Sequence, residues 1–534
     1  MIILAVILKI VFHHLTWLAR LLPESCVLIV IGIVVGTFVH YVILDDILHM
    51  DHKQMAFPTF TADLFFNVLL PPIILDAAFA LFDTAFFDNF GSIIMFAVFG
   101  TLFNVFTIGY SLYGLSASGV LGTFAVTDAV TNVTQEMQLA PTECLIFSSL
   151  ISAVDPVAVL AIFEELNVNV GLYFLVFGES LFNDGVTVVL YNTFRALVDI
   201  EIIGAMEIVM ANLSFIFVVL GGTLIGLFNG LFASYVTTFT QHVRVTEPLI
   251  LYSFAYMSFL GAEVFHWSGI ISIIAFGITV KRYGFQNISK KSYTTVKYSI
   301  KTLASTSDCI IFLFLGLELV QESHHFHGGF IIATILLCLF FRFLSTFLFA
   351  FIVNLWRKDQ IDLKSQFIMA YGGLRGAVGF SLAVVIKEGL WYRELFVTTA
   401  LAMVFFTVFL QGATIKLFVR LFDIKLQEKE KPRICNDVQG KLMDDIMAGV
   451  GSVVGRQKVR NVFYDFFRGV DKTLKSFLIS KHLTVFTFAV SVSQRRMSSS
   501  SFRGSLRRLC WTSTSPTCTL RGNRAKVGPK KVLV

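Results

Sequence analysis

Long apolar stretches follow one another along most of the chain, with short polar loops between them. Each is long enough, or nearly so, to cross a bilayer as a helix, which takes about 20 mainly apolar residues. None alternates apolar and polar positions with the period of two that a membrane strand shows. We therefore predict an all-α membrane protein with about 13 transmembrane helices, at residues 2–18, 26–44, 64–82, 91–116, 141–163, 170–196, 207–236, 247–265, 268–281, 300–320, 328–355, 364–387 and 393–420.

The composition agrees with this pattern. Of the 534 residues, 56% are hydrophobic and only 15% are charged, and a soluble protein of this size cannot bury so much apolar surface. The net charge of +6 comes from basic residues in loops and in the tail, so membrane topology explains it better than nucleic-acid binding does. The 7 cysteines form neither a C-x-x-C pair nor a metal-binding spacing. We expect no cofactor and no enzymatic activity.

The charges of the loops predict the orientation. Residues 281–301 carry six Lys or Arg and no Asp or Glu, which places this segment on the cytoplasmic side. Counting spans from it puts the acidic loop 45–63 and the turn 199–207 outside, and everything after Phe418 in the cytoplasm. Asn132 begins an Asn-Val-Thr triplet in an outside loop and is a candidate glycan acceptor.

The chain changes character after the last span. We divide it into a transmembrane domain (1–420), a cytoplasmic helical region (421–480) and an atypical, Ser- and Arg-rich tail (481–534) that we expect to be disordered. Between Val459 and Leu478, apolar residues recur at spacings of three and four. This spacing predicts an amphipathic helix.

The sixth span holds the densest polar cluster of the apolar region, with Glu179, Ser180, Asn183 and Asp184. Ser180 and Asp184 share one helix face, and Glu179 and Asn183 share the neighbouring face. A carboxylate inside a membrane is costly and therefore indicates function. With neutral oxygen donors beside it, Asp184 suits a hard cation such as Na⁺. The alternative is a structural polar cluster that joins helices, which two acids within six residues make less attractive.

Two other spans are interrupted at matching places of the two halves. In the fifth span, Pro156 removes a backbone donor and disfavours helical geometry at Asp155. The twelfth span contains Gly372, Gly373 and Arg375 in a glycine-rich run. Two interrupted spans in corresponding positions indicate a transporter site between inverted repeats.

Further charged residues lie in or next to the spans. For Asp76, in the third span, helix packing and a role in transport are equally open. Arg342 lies in the middle of the eleventh span, where a lone cation needs a carboxylate partner, and we predict that it pairs with Glu179. Glu263 and His266 flank a short outside turn and are more typical of a solvated rim than of a site.

Four motifs together resemble those of the eukaryotic plasma-membrane sodium/hydrogen exchangers. They occupy residues 70–76, 151–160, 177–184 and 370–377, in the family's order, within a resemblance that runs from about Ile2 to about Ser480. The resemblance implies 13 helices with two inverted six-helix repeats whose broken helices cross, and a homodimer in the plasma membrane. It also implies electroneutral exchange of one external Na⁺ for one internal H⁺.

The resemblance also assigns roles to individual residues. Asp184 resembles the family's ion-binding carboxylate, Asn183 its neighbour, and Asp155 the acid of the broken helix. Glu179 and Arg342 resemble its interhelical ion pair. Positions linked to amiloride-type inhibitors correspond to Glu263 and Gly269, and positions linked to pH sensing and gating to Gly372, Gly373, Arg357 and Arg375.

The sequence departs from the family pattern at several places. Asn67 stands where the family usually has an apolar residue, and Ala78 replaces a usual Gly; both lie in the inhibitor-linked third span. Asp308 stands where Glu is usual. The loop 117–140 is unusual, and the end after Ser480 does not continue the family's regulatory tail.

The expected mechanism is alternating access with Asp184 as carrier, which holds either Na⁺ or a proton. Desolvation penalises the empty, charged carboxylate, so exchange is obligatory. The alternatives are a K⁺/H⁺ or organelle-type exchanger of the same fold, a channel, and a scaffold without transport. A channel would want a filter-like Thr-Val-Gly-Tyr-Gly run, which the sequence lacks, and a scaffold would be expected to have lost Asp184.

The amphipathic segment 459–478 has two candidate partners. Its large Phe side chains suit the groove of an EF-hand protein of the calcineurin-B-homologous type, which is the partner that we predict. Its Lys and Arg residues would also suit anionic lipids of the inner leaflet.

Overall fold

The computed structural model of the chain describes residues 23–38, 61–81, 84–121, 124–127, 134–155, 159–160, 162–163, 168–198, 200, 204–240, 245–321, 325–357, 360–387 and 390–422. The predictions for the first span, for Asn132, and for everything after residue 422, including the segment 459–478, lie outside these residues.

The described residues are almost entirely helical, as predicted. Within the described residues, each of the twelve later spans contains one helix or parts of two shorter ones. In chain order the α-helices of eight or more residues are α1 (Glu24–Phe38), α2 (Leu70–Leu81), α3 (Thr84–Ile94), α4 (Thr101–Ala117), α5 (Pro141–Ile151), α6 (Val170–Val198), α7 (Ala205–Val236), α8 (Thr246–Val264), α9 (Gly269–Arg282), α10 (Lys290–Gln321), α11 (Gly328–Asn354), α12 (Leu363–Tyr371), α13 (Ala377–Val384), α14 (Arg393–Phe405) and α15 (Gly412–Leu421). The π-helical segments Met95–Gly100 and Phe406–Gln411 join α3 to α4 and α14 to α15.

Length and composition alone identify six membrane-crossing helices among the described residues. They are Phe86–Ala117, Val170–Val198, Met206–Val236, Lys290–Val320, Gly328–Asn354 and Arg393–Leu421. Only 11% of the most apolar part of Met206–Val236 is buried inside the protein, against 83% for Val170–Val198. The helix with the polar cluster is therefore central, whereas α7 turns most of its apolar surface outward, as a lipid-facing helix does.

One short strand pair interrupts the helical fold. Strands β1 (Phe124–Thr127) and β2 (Thr134–Met137) pair antiparallel, with Phe124 opposite Met137. They lie in the unusual loop 117–140, which the hydropathy pattern left without an element.

A π-helical turn, Phe65–Leu69, precedes α2. Pro71 has no N–H to offer the carbonyl of Asn67 four residues earlier. The hydroxyl of Tyr256 donates a hydrogen bond to that carbonyl at 3.1 Å. A side chain of α8 thus satisfies the backbone where the proline leaves it unpaired.

The helices pack in two groups. The first comprises α1, α2, α7, α8, α9 and α10, and the second comprises α3, α4, α5, α6, α11, α12, α13, α14 and α15. Within each group the helices contact one another extensively, while fewer contacts, mainly through α6 and α13, join the groups. The candidate site lies along this boundary.

Candidate functional site

The two predicted helix interruptions lie side by side. Helix α5 ends at Ile151, before Asp155, and residues 372–376 separate α12 from α13. The N–H of Asp155 donates to the carbonyl of Leu374 at 2.8 Å. The two broken spans therefore meet at their non-helical segments.

Charged side chains match the helix ends at this crossing. The buried Arg375 donates from Nη1 to the carbonyls of Ser152 at 2.9 Å and Ala153 at 3.4 Å, just beyond α5. A cation is favourable at the C-terminal end of a helix, where carbonyls carry partial negative charge. Asp155 lies against Gly376, the N-cap of α13, where a Cβ would overlap the carboxylate. Glycine thus allows an acid to approach the positive end of α13.

Glu179 and Arg342 form the predicted ion pair. Arg342 Nη1 lies 2.5 Å from Glu179 Oε1, and both side chains are buried. Arg342 Nη2 also donates to the carbonyl of Met369 at 3.1 Å, in the last turn of α12. A Cβ at Gly373 would lie 2.7 Å from Arg342 Nε, so the absence of a side chain there makes room for the guanidinium.

Asp184 lies on the wall of a cavity of about 480 Å³ between the two helix groups. Asp76 of α2, Asp155, and Asp308 of α10 line the same cavity, as do Lys297 and Lys301. We call it the inner cavity, because the lysines belong to the segment predicted to be cytoplasmic. Four carboxylates around one space fit a hard cation, which prefers oxygen ligands.

The Asp184 carboxylate has a free acceptor. Its Oδ1 atom is buried and has no hydrogen-bond partner within the described residues. A buried acceptor left unpaired costs free energy, and a bound Na⁺ or proton would remove that cost.

The two predicted neutral donors lie elsewhere. Ser180 and Asn183 are buried, and neither is among the described residues that line the inner cavity. The Asn183 side-chain oxygen accepts a hydrogen bond from the Thr187 hydroxyl at 2.9 Å. In this conformation Asp184 lines the inner cavity, and Ser180 and Asn183 do not.

A second cavity of about 550 Å³, which we call the outer cavity, lies against the other half of α6 and contains Glu263 on its wall. Its lining also includes Asn192, Glu207 and His266. Glu263 accepts a hydrogen bond from the N–H of Gly269 at 3.1 Å. The two inhibitor-linked positions are thus in contact, and Glu263 belongs to a cavity wall as well as to the rim.

The positions linked to pH sensing separate into two places. Gly372, Gly373 and Arg375 lie at the crossing, whereas Arg357 follows α11, with Nη1 3.5 Å from the Ser92 hydroxyl. The structure thus does not gather the four into one cluster.

Lys297, Lys301 and Asp308 line the inner cavity, although the hydropathy pattern does not mark them as site residues. In the sequence the lysines indicate only the orientation of the chain, and Asp308 stands out only as a departure from the family. Their spacings of four and seven put all three on one helix face, and charges on the inward face of a span indicate an ion pathway.

The fold and the site define a class. Two broken helices cross between two helix groups, and beside them lies the Asp184 carboxylate with a buried oxygen that has no hydrogen-bond partner within the described residues. This is the arrangement of a polytopic membrane transporter. Within that class the chain belongs to the sodium/hydrogen exchanger family, whose transmembrane region matches residues 2–421. The sequence-based prediction of the family is confirmed.

Curated relatives agree. The chain is 41% identical over 454 residues to the Na(+)/H(+) exchanger beta of Oncorhynchus mykiss, covering 85% of this chain and 57% of that protein. It is 39% identical over 474 residues to sodium/hydrogen exchanger 3 of Mus musculus, covering 88% and 54%. The chain therefore spans a little over half the length of these relatives.

The fold matches that of a solved antiporter. The structure of the sodium proton antiporter MjNhaP1 from Methanocaldococcus jannaschii at pH 8 superimposes with a TM-score of 0.58 at 16% identity. The match covers 80% of this chain and 96% of the other, so the similarity extends through nearly the whole antiporter fold.

Proposed function

We propose that this protein is an electroneutral antiporter that exchanges external Na⁺ for internal H⁺ and so regulates internal pH, Na⁺ and volume. The observation that carries the proposal is the buried, unpartnered Oδ1 of Asp184 on a cavity wall. One carboxylate that exchanges one monovalent cation for another moves no net charge. The family and the names of the relatives, which are Na⁺/H⁺ exchangers, support the choice of ions.

The two cavities support alternating access. The inner cavity contacts the first half of α6, through Tyr173, Leu181 and Asp184. The outer cavity contacts the second half, from Val188 to Leu197. A small movement of one helix group against the other would close the first approach to Asp184 and open the second. The ion pair of Glu179 and Arg342 would keep α6, α11 and α12 together during that movement.

The test is Asp184→Asn, which keeps size and shape but cannot release a proton. In acid-loaded cells this variant should reach the surface and show no Na⁺-dependent pH recovery. Asp184→Glu should keep weak activity with a changed Na⁺ affinity, because the carboxylate remains but lies one methylene further from the backbone. Asp88→Asn, a change of the same kind at an exposed position on α3, is the control and should recover normally. If Asp184→Asn still restored pH, the carrier would be another carboxylate, with Asp155 next.

The same assay separates the alternatives. Recovery with K⁺ in place of Na⁺ would favour a K⁺/H⁺ exchanger of the same fold, and a voltage-dependent current would favour a channel. If the wild-type chain transports no ion in this assay, the result would favour a scaffold.

We also propose that the protein is a homodimer of the plasma membrane with a cytoplasmic C-terminus, and that the segment 459–478 binds a calcineurin-B-homologous EF-hand protein. The support is the family membership and the apolar face of that segment. Co-purification of the full chain with the EF-hand protein, and its loss in a Phe463→Ala/Phe467→Ala variant, would test the contact. Recovery of lipid without any EF-hand protein would contradict it.

A further inference from the structure

Two positive charges line a cavity that is otherwise built for a cation. Lys297 and Lys301 lie one turn apart on α10, are exposed, and belong to the wall of the inner cavity. Neither ammonium group forms an ion pair within the part of the chain that the structure describes. Positive charges at such a place oppose the entry of Na⁺, so they call for a physical explanation.

The lysines lie at the mouth and the acids lie deeper. Asp308 follows Lys301 by seven residues, about 10 Å along the same helix, and it is partly buried whereas the lysines are exposed. Asp76 comes from α2 in the same helix group, while Asp155 and Asp184 come from the opposite group. A cation that enters from the predicted cytoplasmic side therefore passes the two lysines before it meets the four carboxylates.

Two charges at the mouth of a cleft act on every cation that enters. Clefts with walls of low dielectric constant focus the field of the charges that line them and change the local ion concentration. We propose that Lys297 and Lys301 set the apparent affinity of the inner cavity for its cation, by lowering the cytoplasmic Na⁺ concentration that Asp184 experiences. This inference rests on the proposed antiport function and names the residues that tune its inner side.

An anion-binding role fits the cavity less well. All other charged side chains among the described residues of its lining are carboxylates, which would repel a phosphate or a lipid headgroup. In the cavity, the two lysines weaken the negative electrostatic potential of the four carboxylates without reversing it. Such a potential suits an exchanger that must release Na⁺ into the cytoplasm.

The experiment measures exchange from the inner side. In cells expressing the full chain, an ionophore sets internal Na⁺, and the Na⁺ concentration for half-maximal exchange is determined on each side. Lys297→Gln/Lys301→Gln should lower the internal value about threefold to tenfold, because two repulsive charges are gone. The external value should stay unchanged. The double Glu variant should shift further, the double Arg variant should match the wild type, and high salt should shrink every difference.

The matched control removes the same charge from the same helix. Lys290 and Lys291 are exposed on α10 and do not line the inner cavity as described, so Lys290→Gln/Lys291→Gln should change little. The proposal would be overturned if the internal half-maximal Na⁺ concentration shifted equally in the control pair, or equally in the Gln and Arg variants. A dependence of the shift on anionic lipid content would also overturn it. Wild-type protein without any Na⁺/H⁺ exchange would instead refute the underlying function.

Discussion

The guanidinium of Arg342 joins three parts of the second helix group. It pairs with Glu179 of α6 and donates to the carbonyl of Met369 at the end of α12, while it belongs to α11 itself. Because all these groups are buried, removing the cation would leave a carboxylate charged and unpaired. Breaking a buried pair in this way costs about 3–5 kcal/mol.

We predict that Arg342→Ala lowers surface expression and the unfolding temperature of the purified protein. The double variant Arg342→Ala/Glu179→Gln should recover part of both, because it removes the orphaned charge. Arg420→Ala, at an exposed position, serves as the control in the same thermal unfolding measurement. Additive losses in the double variant would show that the pair is not the source of the stability.

At the residue scale, the sequence predicted charges better than neutral donors. The pair of Glu179 and Arg342 could be predicted because an isolated charge in an apolar span demands a partner, and the same cost made Asp184 a candidate for function. Ser180 and Asn183 carry no such cost, and helical spacing cannot say which face meets a cavity.

At the scale of single elements, glycine fixes how closely the broken helices approach. A Cβ at Gly379 of α13 would lie 2.6 Å from the carbonyl oxygen of Leu150 in α5. The neighbour is backbone and cannot rotate away, so a side chain there forces the two helices apart. A Cβ added at Gly114 of α4, by contrast, would meet no neighbouring atom within 4 Å.

We predict that Gly379→Ala destabilises the protein by about 1–3 kcal/mol through overpacking and slows exchange. Gly114→Ala should be neutral or stabilising by up to about 1 kcal/mol, because alanine favours a helix. Thermal unfolding and Na⁺-dependent pH recovery of both variants check this. Equal behaviour of the two would mean that the crossing tolerates a wider separation.

The sequence predicted the helix breaks but not every element boundary. Proline and glycine act on the local backbone, so the breaks before Asp155 and around Gly373 could be predicted from the chain. The tenth span was predicted to begin at residue 300, whereas α10 begins at Lys290, because its first turns are polar and hydropathy cannot count them. That error left Lys297 outside the span and Lys301 at its very start, and it concealed their place in the cavity.

At the scale of the whole molecule, the two cavities should open to opposite sides of the membrane. Ala77 lines the inner cavity and Met210 the outer one. A membrane-impermeant thiol reagent applied outside should label Met210→Cys and not Ala77→Cys, and the reverse should hold in inside-out vesicles. The parent chain, in which the four cysteines that the structure describes are buried, gives the background. Labelling of Ala77→Cys from outside alone would contradict the orientation.

The division into two helix groups did not follow from the hydropathy pattern. Apolar spans look alike whether they meet lipid or protein, as the contrast between α7 and α6 shows. The prediction of inverted repeats came from the two interrupted spans and from the resemblance to a family, and the contacts between distant helices came from the structure.

With the two cavities opening to opposite sides as predicted, the position of α6 between them would also decide where the membrane voltage acts. Asp184 borders one cavity and Val188, about 6 Å further along the helix, borders the other. Most of the potential would then fall across this short stretch instead of the full bilayer thickness. In the proposed mechanism, the carboxylate loaded with Na⁺ or H⁺ is neutral and does not respond to the voltage, whereas the empty carboxylate would experience about 2.3 kcal/mol per 100 mV. For the exchanger proposed above, a current too small to account for the pH recovery would thus report unloaded crossings and measure how tightly the exchange is coupled. A current that carries the transport itself would favour a channel.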